Sequence, residues 1–404
     1  TVITGVRAYN VLSAVHNGID AIPYKERRID ELTDADINTF VTLKDLDIIF
    51  KDGSWSNIHE SFVASMDACA TLVRDINGRS IYVLVNTAVP WRRTGASLPQ
   101  GNIDVSGIVV RETMRRYGPD MGKFSIRPVD ADGIVKSKAK SPWTTVVGWM
   151  KPEGSGQSLD FEINGRVDGL FKKGIVNDRI YNDIGSSTAY LWTDSGAEVR
   201  VYSGYNSVSG ENNGFVANGA IMLIAPTVSW YEWDNVGNVC GSKAIYVSFS
   251  TAKCKSGMLQ MNLEWSAGTQ DGNKCWYFPI DWEVEYSADG GKDWTVVPDA
   301  ATGANSIMLH SVPWGTAVIK GSGHDFMMQP CFDTAMGPQQ HSFNLPDSAL
   351  GVKELILRIS PSSKCVAKHR VNVADSYRDA EVSKVRGDLQ TWIRVEGLKI
   401  DYRK

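Results

Sequence analysis

Residues 282 to 297 read WEVEYSADGGKDWTVV, and apolar and polar side chains alternate along them with the period of two that an extended strand imposes. Trp282, Val284 and Tyr286 fall on one face and Glu283 and Glu285 on the other. Asp289-Gly290-Gly291 supplies a turn, and Trp294 and Val296 resume the alternation on a return strand. The stretch predicts two antiparallel strands with one buried face, with Trp282 and Trp294 packing inward. The same kind of run recurs through residues 143–404, in TTVVGWM, LDFEINGRV, AEVRVYSGY, AIMLIAPTVSW, AIYVSFSTA, MLQMNLEWSA, SIMLHSV, ELILRIS and WIRVEGLKIDY, with Gly, Asn and Ser clusters between them and no long amphipathic helix. So many strands separated by long loops predict a jelly-roll β-sandwich.

Residues 1–135 carry a second series of short strand-like runs: ITGVRAYNVL, TFVTLKDLDIIF, CATLVRD, SIYVLVN, IDVSGIVVRE and KFSIRPVD. Asn77-Gly78, between LVRDI and RSIYVLV, is the strongest short-range hairpin signal in the chain. Five or six strands in this length fit a small Greek-key barrel of the OB type better than a sandwich. Residues 136–142, KSKAKSP, are basic and unpatterned and predict a linker. The expected fold class is therefore all-β, an N-terminal OB-like barrel (1–135) joined through 136–142 to a C-terminal jelly-roll sandwich (143–404).

Composition narrows the function classes. The chain has 404 residues, with 42 Lys and Arg against 46 Asp and Glu, for a formal net charge of -4. No basic excess suits a nucleic-acid backbone, and no run of 18 apolar residues predicts a membrane-spanning helix. Six cysteines are scattered without a C-x-x-C pair. They predict buried free thiols, with one bridge between Cys254 and Cys275 as the alternative. No metal or cofactor is expected: zinc spacing is missing, and Asp289 and Asp293 lack the ligand density of a calcium loop.

Enzyme motifs are missing as well. There is no G-x-S-x-G elbow, H-E-x-x-H or phosphate-cradling loop, and the six histidines are dispersed. Glycoside hydrolysis needs only two carboxylates some 5 to 9.5 Å apart. Glu283 and Glu285, about 7 Å apart on one strand face by strand rise, meet that spacing, but the solvated face of a half-buried strand is the far more ordinary explanation of the pair. No catalytic residue is assigned.

Aromatic residues are the better candidates. Thirteen tryptophans include Trp230 and Trp233 in WYEW, Trp276 beside Tyr277 in KCWY, and Trp314 in VPWG. They lie where strand patterning stops. Rigid rings at such positions can stack on the apolar face of a pyranose while polar neighbours take its hydroxyls. They can equally cap a sandwich core, and the sequence leaves that open for these residues. Trp265, Trp282, Trp294 and Trp392, inside strand patterns, are expected in the core. Trp91 and Arg92 sit in a loop of the presumed barrel, where OB folds carry ligands.

Two resemblances add to this reading. Asp75-Ile76-Asn77-Gly78, Leu98-Pro99-Gln100-Gly101, Val105-Ser106-Gly107-Ile108-Val109 and Arg127-Pro128-Val129-Asp130 resemble, in that order, an OB-like domain of secreted lipoproteins from Bacteroidota. The pattern W-x-V-E-Y-S-x-D-G-x-x-W at Trp282 to Trp294, with the final strand Trp392 to Tyr402, is similar to galactose-binding-like sandwiches of secreted Bacteroidota proteins. The first resemblance implies a cell-envelope location with a lipid anchor upstream of TVITGV. The expectation is a monomeric, non-catalytic envelope protein that binds a polysaccharide or glycoprotein through Trp230, Trp233, Trp276, Tyr277, Trp314, Trp91 and Arg92. The alternatives are a jelly-roll glycoside hydrolase or lyase, and an adhesive or structural surface protein.

Overall fold

The computed structural model describes residues 25–51, 68–86, 98–99, 101–111, 122–149, 179–182, 184–185, 189–202, 220–269, 277–309, 339–368, 380–385, 387 and 390–404. Among them the regular structure is all strand, apart from short 3-10 turns. The fold is all-β, an OB-like barrel followed by a β-sandwich, as the alternation predicts.

The barrel is built from β1 (Phe40–Ile48), β2 (Ala68–Arg74), β3 (Ser80–Asn86), β4 (Asn102–Val110) and β5 (Ser125–Arg127). Hydrogen bonding closes the ring in the order β1-β2-β3-β5-β4 and back to β1. Only β3 and β5 in that ring run parallel, which gives the Greek-key barrel of the OB type. A register shift between Leu43 and Leu46 lets β1 turn the corner from β4 to β2. At that shift Asp45 adopts φ +53°, a left-handed conformation that Asp tolerates better than most side chains. Val41, Leu43, Ile81, Val83, Ile103, Val105 and Ile126 fill the interior.

The predicted hairpin at Asn77-Gly78 joins β2 to β3, with Arg74 opposite Ser80. The Asp75 carboxylate accepts from the Asn77 and Arg79 amides, and Gly78 takes φ +73°. Residues 136–142, expected to link the two parts, leave along β4. Lys136 pairs with Ile103, the Ser137 amide donates to the Asn102 carbonyl, and the Ser137 hydroxyl bonds the Asp45 carboxylate.

The sandwich uses β6 (Thr144–Trp149), β7 (Tyr190–Thr193), β8 (Glu198–Tyr202), β9 (Ala220–Pro226), β10 (Ile245–Phe249), β11 (Met258–Thr269), β12 (Asp281–Ser287), β13 (Gln339–Leu345), β14 (Leu355–Pro361) and β15 (Gln390–Arg403). In one sheet the long β15 pairs with β11 along its length, with β9 at its start and with β6 at its end; β13 and β8 extend that sheet outward. The other sheet runs β7-β10-β14-β12, all antiparallel, with the short strand Thr295–Val296 completing the predicted hairpin beyond β12.

The two inner faces meet in one large core. At its centre the Trp282 ring packs edge-on against Trp230 and Trp265, with centroids 5.3 Å away in both cases. Such aromatic pairs contribute about 0.5–1.5 kcal/mol each beyond burial. Trp265 and Trp282 are thus core residues, as expected. Cys254 is a buried free thiol, and burial pushes its pKa up.

The barrel sits on the outer face of the β13-β11-β15 sheet. The Leu72 amide donates to the Gln340 side chain, the Tyr82 hydroxyl to the Gln340 carbonyl, and Ser80 and Ser342 share a hydroxyl bond. The Gly78 carbonyl accepts from both Gln260 and Asn344. A side chain at Gly78 would meet the Asn344 amide oxygen and the Met258 sulfur at 2.7 Å, so the turn needs glycine both for its φ and for this contact. Beside it, Arg74 is 1% exposed and bonds Asp47 and Asp401 at 2.9 and 2.7 Å, and its Nη1 donates to Gln260. Its guanidinium lies 4.2 Å from the Trp143 ring centroid.

Candidate functional site: an aromatic row on the open sheet

On β7, β10, β14 and β12 every second side chain leaves the core. Leu191, Ile245, Val247, Leu357, Ile359, Trp282 and Val284 point in, and Tyr190, Trp192, Tyr246, Arg358, Glu283 and Glu285 point out and are half-buried. Antiparallel register places Trp192 opposite Tyr246, Tyr246 opposite Arg358, and Arg358 opposite Glu285. One transverse row of the outer face therefore reads Trp, Tyr, Arg, Glu across four strands, and directly opposite side chains of this kind interact.

The rings form a continuous series. Arg179 lies 4.1 Å from the Tyr190 centroid, Tyr190 is 5.2 Å from Trp192, Trp192 is 5.0 Å from Tyr246, Tyr246 is 6.2 Å from Trp294, and Arg358 lies 4.2 Å over Trp294. Trp192 and Tyr246 are nearly parallel, at 14°. Stacked ring planes stay roughly 3.5 Å apart, so rings with centroids 5.0 Å apart are slipped sideways, and each leaves part of its face uncovered by the other.

Polar groups fix the rings in place. The Tyr246 hydroxyl donates to Asp194, and the Tyr190 hydroxyl to Glu354. Asp194 also accepts from the Ala244 amide, and Glu354 from the Ser248 hydroxyl. Burial, then the Asp194 charge, push the Tyr246 phenol up to about 12, so it stays a donor at any ordinary pH. The Trp294 indole donates to the Gly291 carbonyl, and Gly290 and Gly291 make the turn with φ of +79° and +87°. Arg358 directs Nε and Nη2 at one oxygen of Glu285, at 2.7 and 2.6 Å. Glu283, two residues along the same face, has its carboxyl raised first by burial and then by Glu285, with Arg358 opposing.

Several residues predicted from the sequence fall elsewhere. Trp230 does not reach the surface: it is fully buried against Trp282, because the 3-10 turn Thr227–Trp230 directs it into the core. Trp294 does not pack inward: it lies against Tyr246 and Arg358 on the outer face. Trp233 is 37% exposed on the hairpin made by Tyr231–Trp233 and Val239–Ser242, with its indole donating to the Val228 carbonyl. Tyr277 begins a short strand paired with Cys365–Lys368, and its side chain lies outside the described residues. Trp276, Trp314, Trp91 and Arg92 also lie outside them.

Sequence reasoning missed Tyr190, Trp192 and Tyr246. The alternation Tyr190-Leu191-Trp192 and Ile245-Tyr246-Val247 is visible in the sequence, but their juxtaposition depends on pairing strands more than 50 residues apart in the chain.

The barrel offers less. OB folds commonly bind ligands on the face of their second and third strands. Here those strands are β2 and β3, and their outward Leu72, Tyr82 and Leu84 are buried with Ile49 and Phe50 in the contact with the sandwich. Among the described residues no cluster of His, Cys, Asp and Glu is arranged for a metal, and no helix is long and apolar enough to cross a membrane. Asp289 closes its turn by accepting from Ser287 and from the Lys292 and Asp293 amides.

No protein-family model matches the chain, and no curated protein does. Among solved structures the chain is similar to the K2 cleaved adhesin domain of Lys-gingipain, with 13% identity over 66% of this chain and 92% of that one. The TM-score of that match is 0.19, too low to carry an argument about fold or function.

Proposed function

We propose that this protein is a non-catalytic binding module that holds carbohydrate on the open face of its β7-β10-β14-β12 sheet. The observation that carries the reading is the half-buried aromatic row Tyr190-Trp192-Tyr246-Trp294, in which both phenols and the Trp294 indole are already engaged. A pyranose presents an apolar C–H face to a ring and hydroxyls to its surroundings. Partly uncovered rings bordered by carboxylates offer both complements. Fixing the rings beforehand lowers the ordering cost of binding. The resemblance of the barrel's sequence to envelope lipoproteins supports placing this activity at the cell envelope.

Affinity electrophoresis against a panel of soluble polysaccharides tests the reading. At least one polymer retards the wild type, and the Trp192→Ala/Tyr246→Ala double variant runs free of it. No retardation by any polymer overturns the proposal.

A second reading has one observation of its own. Glu283, with its carboxyl raised, neighbours Glu285, ion-paired to Arg358, and an acid beside a carboxylate is the pairing glycoside hydrolysis uses. Release of new reducing ends by the wild type but not by Glu283→Gln would favour it over simple binding.

A further inference from the structure

We infer that the open face selects neutral glycans and rejects polysaccharides bearing carboxylate or sulfate groups. The inference rests on the carbohydrate-binding reading above and concerns the charge around the same rings.

Among the described residues, Asp194, Glu283, Glu285 and Glu354 border the row, and the guanidiniums of Arg179 and Arg358 lie over its rings. The guanidinium inside the row is not placed to grip an anionic sugar. Arg358 is held by Glu285 through two donors and lies 4.2 Å over the Trp294 ring. Arg179 lies over the Tyr190 ring, and the hydroxyl of that tyrosine donates to Glu354, which sets a carboxylate at the same ring. Lys243, the neighbouring cation at the Ala244 edge, is paired with Glu232.

Hydrogen-bond chemistry points the same way as charge. Ionised carboxylates accept only. Asp194 and Glu354 already order the tyrosines, and they have lone pairs left for further donors. Sugar hydroxyls supply donors, whereas a uronate or sulfate group supplies only acceptors and a like charge. Partial burial lowers the local dielectric and strengthens that repulsion relative to open water.

The test is isothermal titration of the full chain with matched pairs: hydroxyethylcellulose, galactomannan and amylose, each as the neutral polymer and after oxidation of its primary alcohols to carboxylates. For whichever backbone binds, the oxidised form is expected to bind at least tenfold more weakly at low ionic strength. The gap should narrow in 0.5 M salt, where exposed charges are screened. The Glu283→Gln/Glu354→Gln variant keeps an acceptor oxygen at both positions and should close most of the gap. Equal or tighter binding of the oxidised form, or a gap unmoved by that variant, overturns the selectivity while leaving carbohydrate binding in place. Failure of every neutral polymer to bind removes the underlying reading as well.

Discussion

The two sheets of the sandwich turn opposite kinds of surface outward. The sheet of β13, β11 and β15 presents Gln260, Asn262, Gln340, Ser342, Asn344, Lys399 and Asp401, a polar face that simple patterning would assign to solvent. The barrel covers it, and nearly every one of these side chains is buried. The sheet of β7, β10, β14 and β12 presents Tyr190, Trp192, Tyr246 and Arg358, an aromatic face that patterning would assign to a partner. Among the described residues it stays half-exposed. The difference shows that polarity alone does not say which face is covered. What matters is whether each polar group finds a partner in the contact, and here Arg74, Ser80, Tyr82 and the Gly78 carbonyl supply those partners from the barrel.

The covered face is where breakage should be largest. Arg74→Met takes away the guanidinium that bridges Asp47 and Asp401 in the buried contact, and removing one member of a buried ionic group costs about 3–5 kcal/mol. Urea unfolding should show that loss. A loss below about 1 kcal/mol would mean that the contact is wetter than the structure shows.

Acid should act on the same place. Burial by itself would raise the Asp401 carboxyl. Lys399, Arg74 and the Thr145 hydroxyl overcome burial and hold it at about 2, below its ordinary 3.8. A carboxyl depressed on folding contributes stability that is fully present above its unfolded value and is lost as pH falls through the folded one. At 1.36 kcal/mol per unit the contribution is about 2 kcal/mol, disappearing between about pH 4 and pH 2. Comparing the pH dependence of the melting temperature in wild type and Asp401→Asn checks this: the variant should lack that share of the acid slope.

A smaller effect sharpens the contrast. Tyr82→Phe deletes one buried hydrogen bond, to the Gln340 carbonyl, and should cost about 1–2 kcal/mol by thermal unfolding. On the open face, Trp192→Ala removes half-exposed stacking and should cost about 1 kcal/mol or less of stability. Its binding to polysaccharide should nevertheless fall at least tenfold. Strong destabilisation by Trp192→Ala with unchanged binding would reduce the row to scaffold.

Much of the fold was legible because alternation is a local property. Trp282, Val284 and Tyr286 inward with Glu283 and Glu285 outward, and the Asn77-Gly78 hairpin, follow from neighbours in sequence. The site was not legible for the same reason. Trp192, Tyr246, Trp294 and Arg358 come from four separate strands or turns, and only sheet register brings them together. Trp230 and Trp294 exchange their expected roles. Being just before a strand says nothing about direction: a 3-10 turn carries Trp230 inward, and the double-glycine turn lays Trp294 back across the outer face. The polar residues of the covered face read as solvated because the pattern distinguishes two faces of a strand without naming what lies over either.

Oxidative footprinting of tryptophan, read by mass spectrometry with and without a saturating neutral polysaccharide, tests the central claim most directly. The account predicts that the polymer protects Trp192 and Trp294 while Trp233, on its separate hairpin, oxidises as before. Unchanged oxidation of Trp192 and Trp294 under a polymer that demonstrably binds would contradict it.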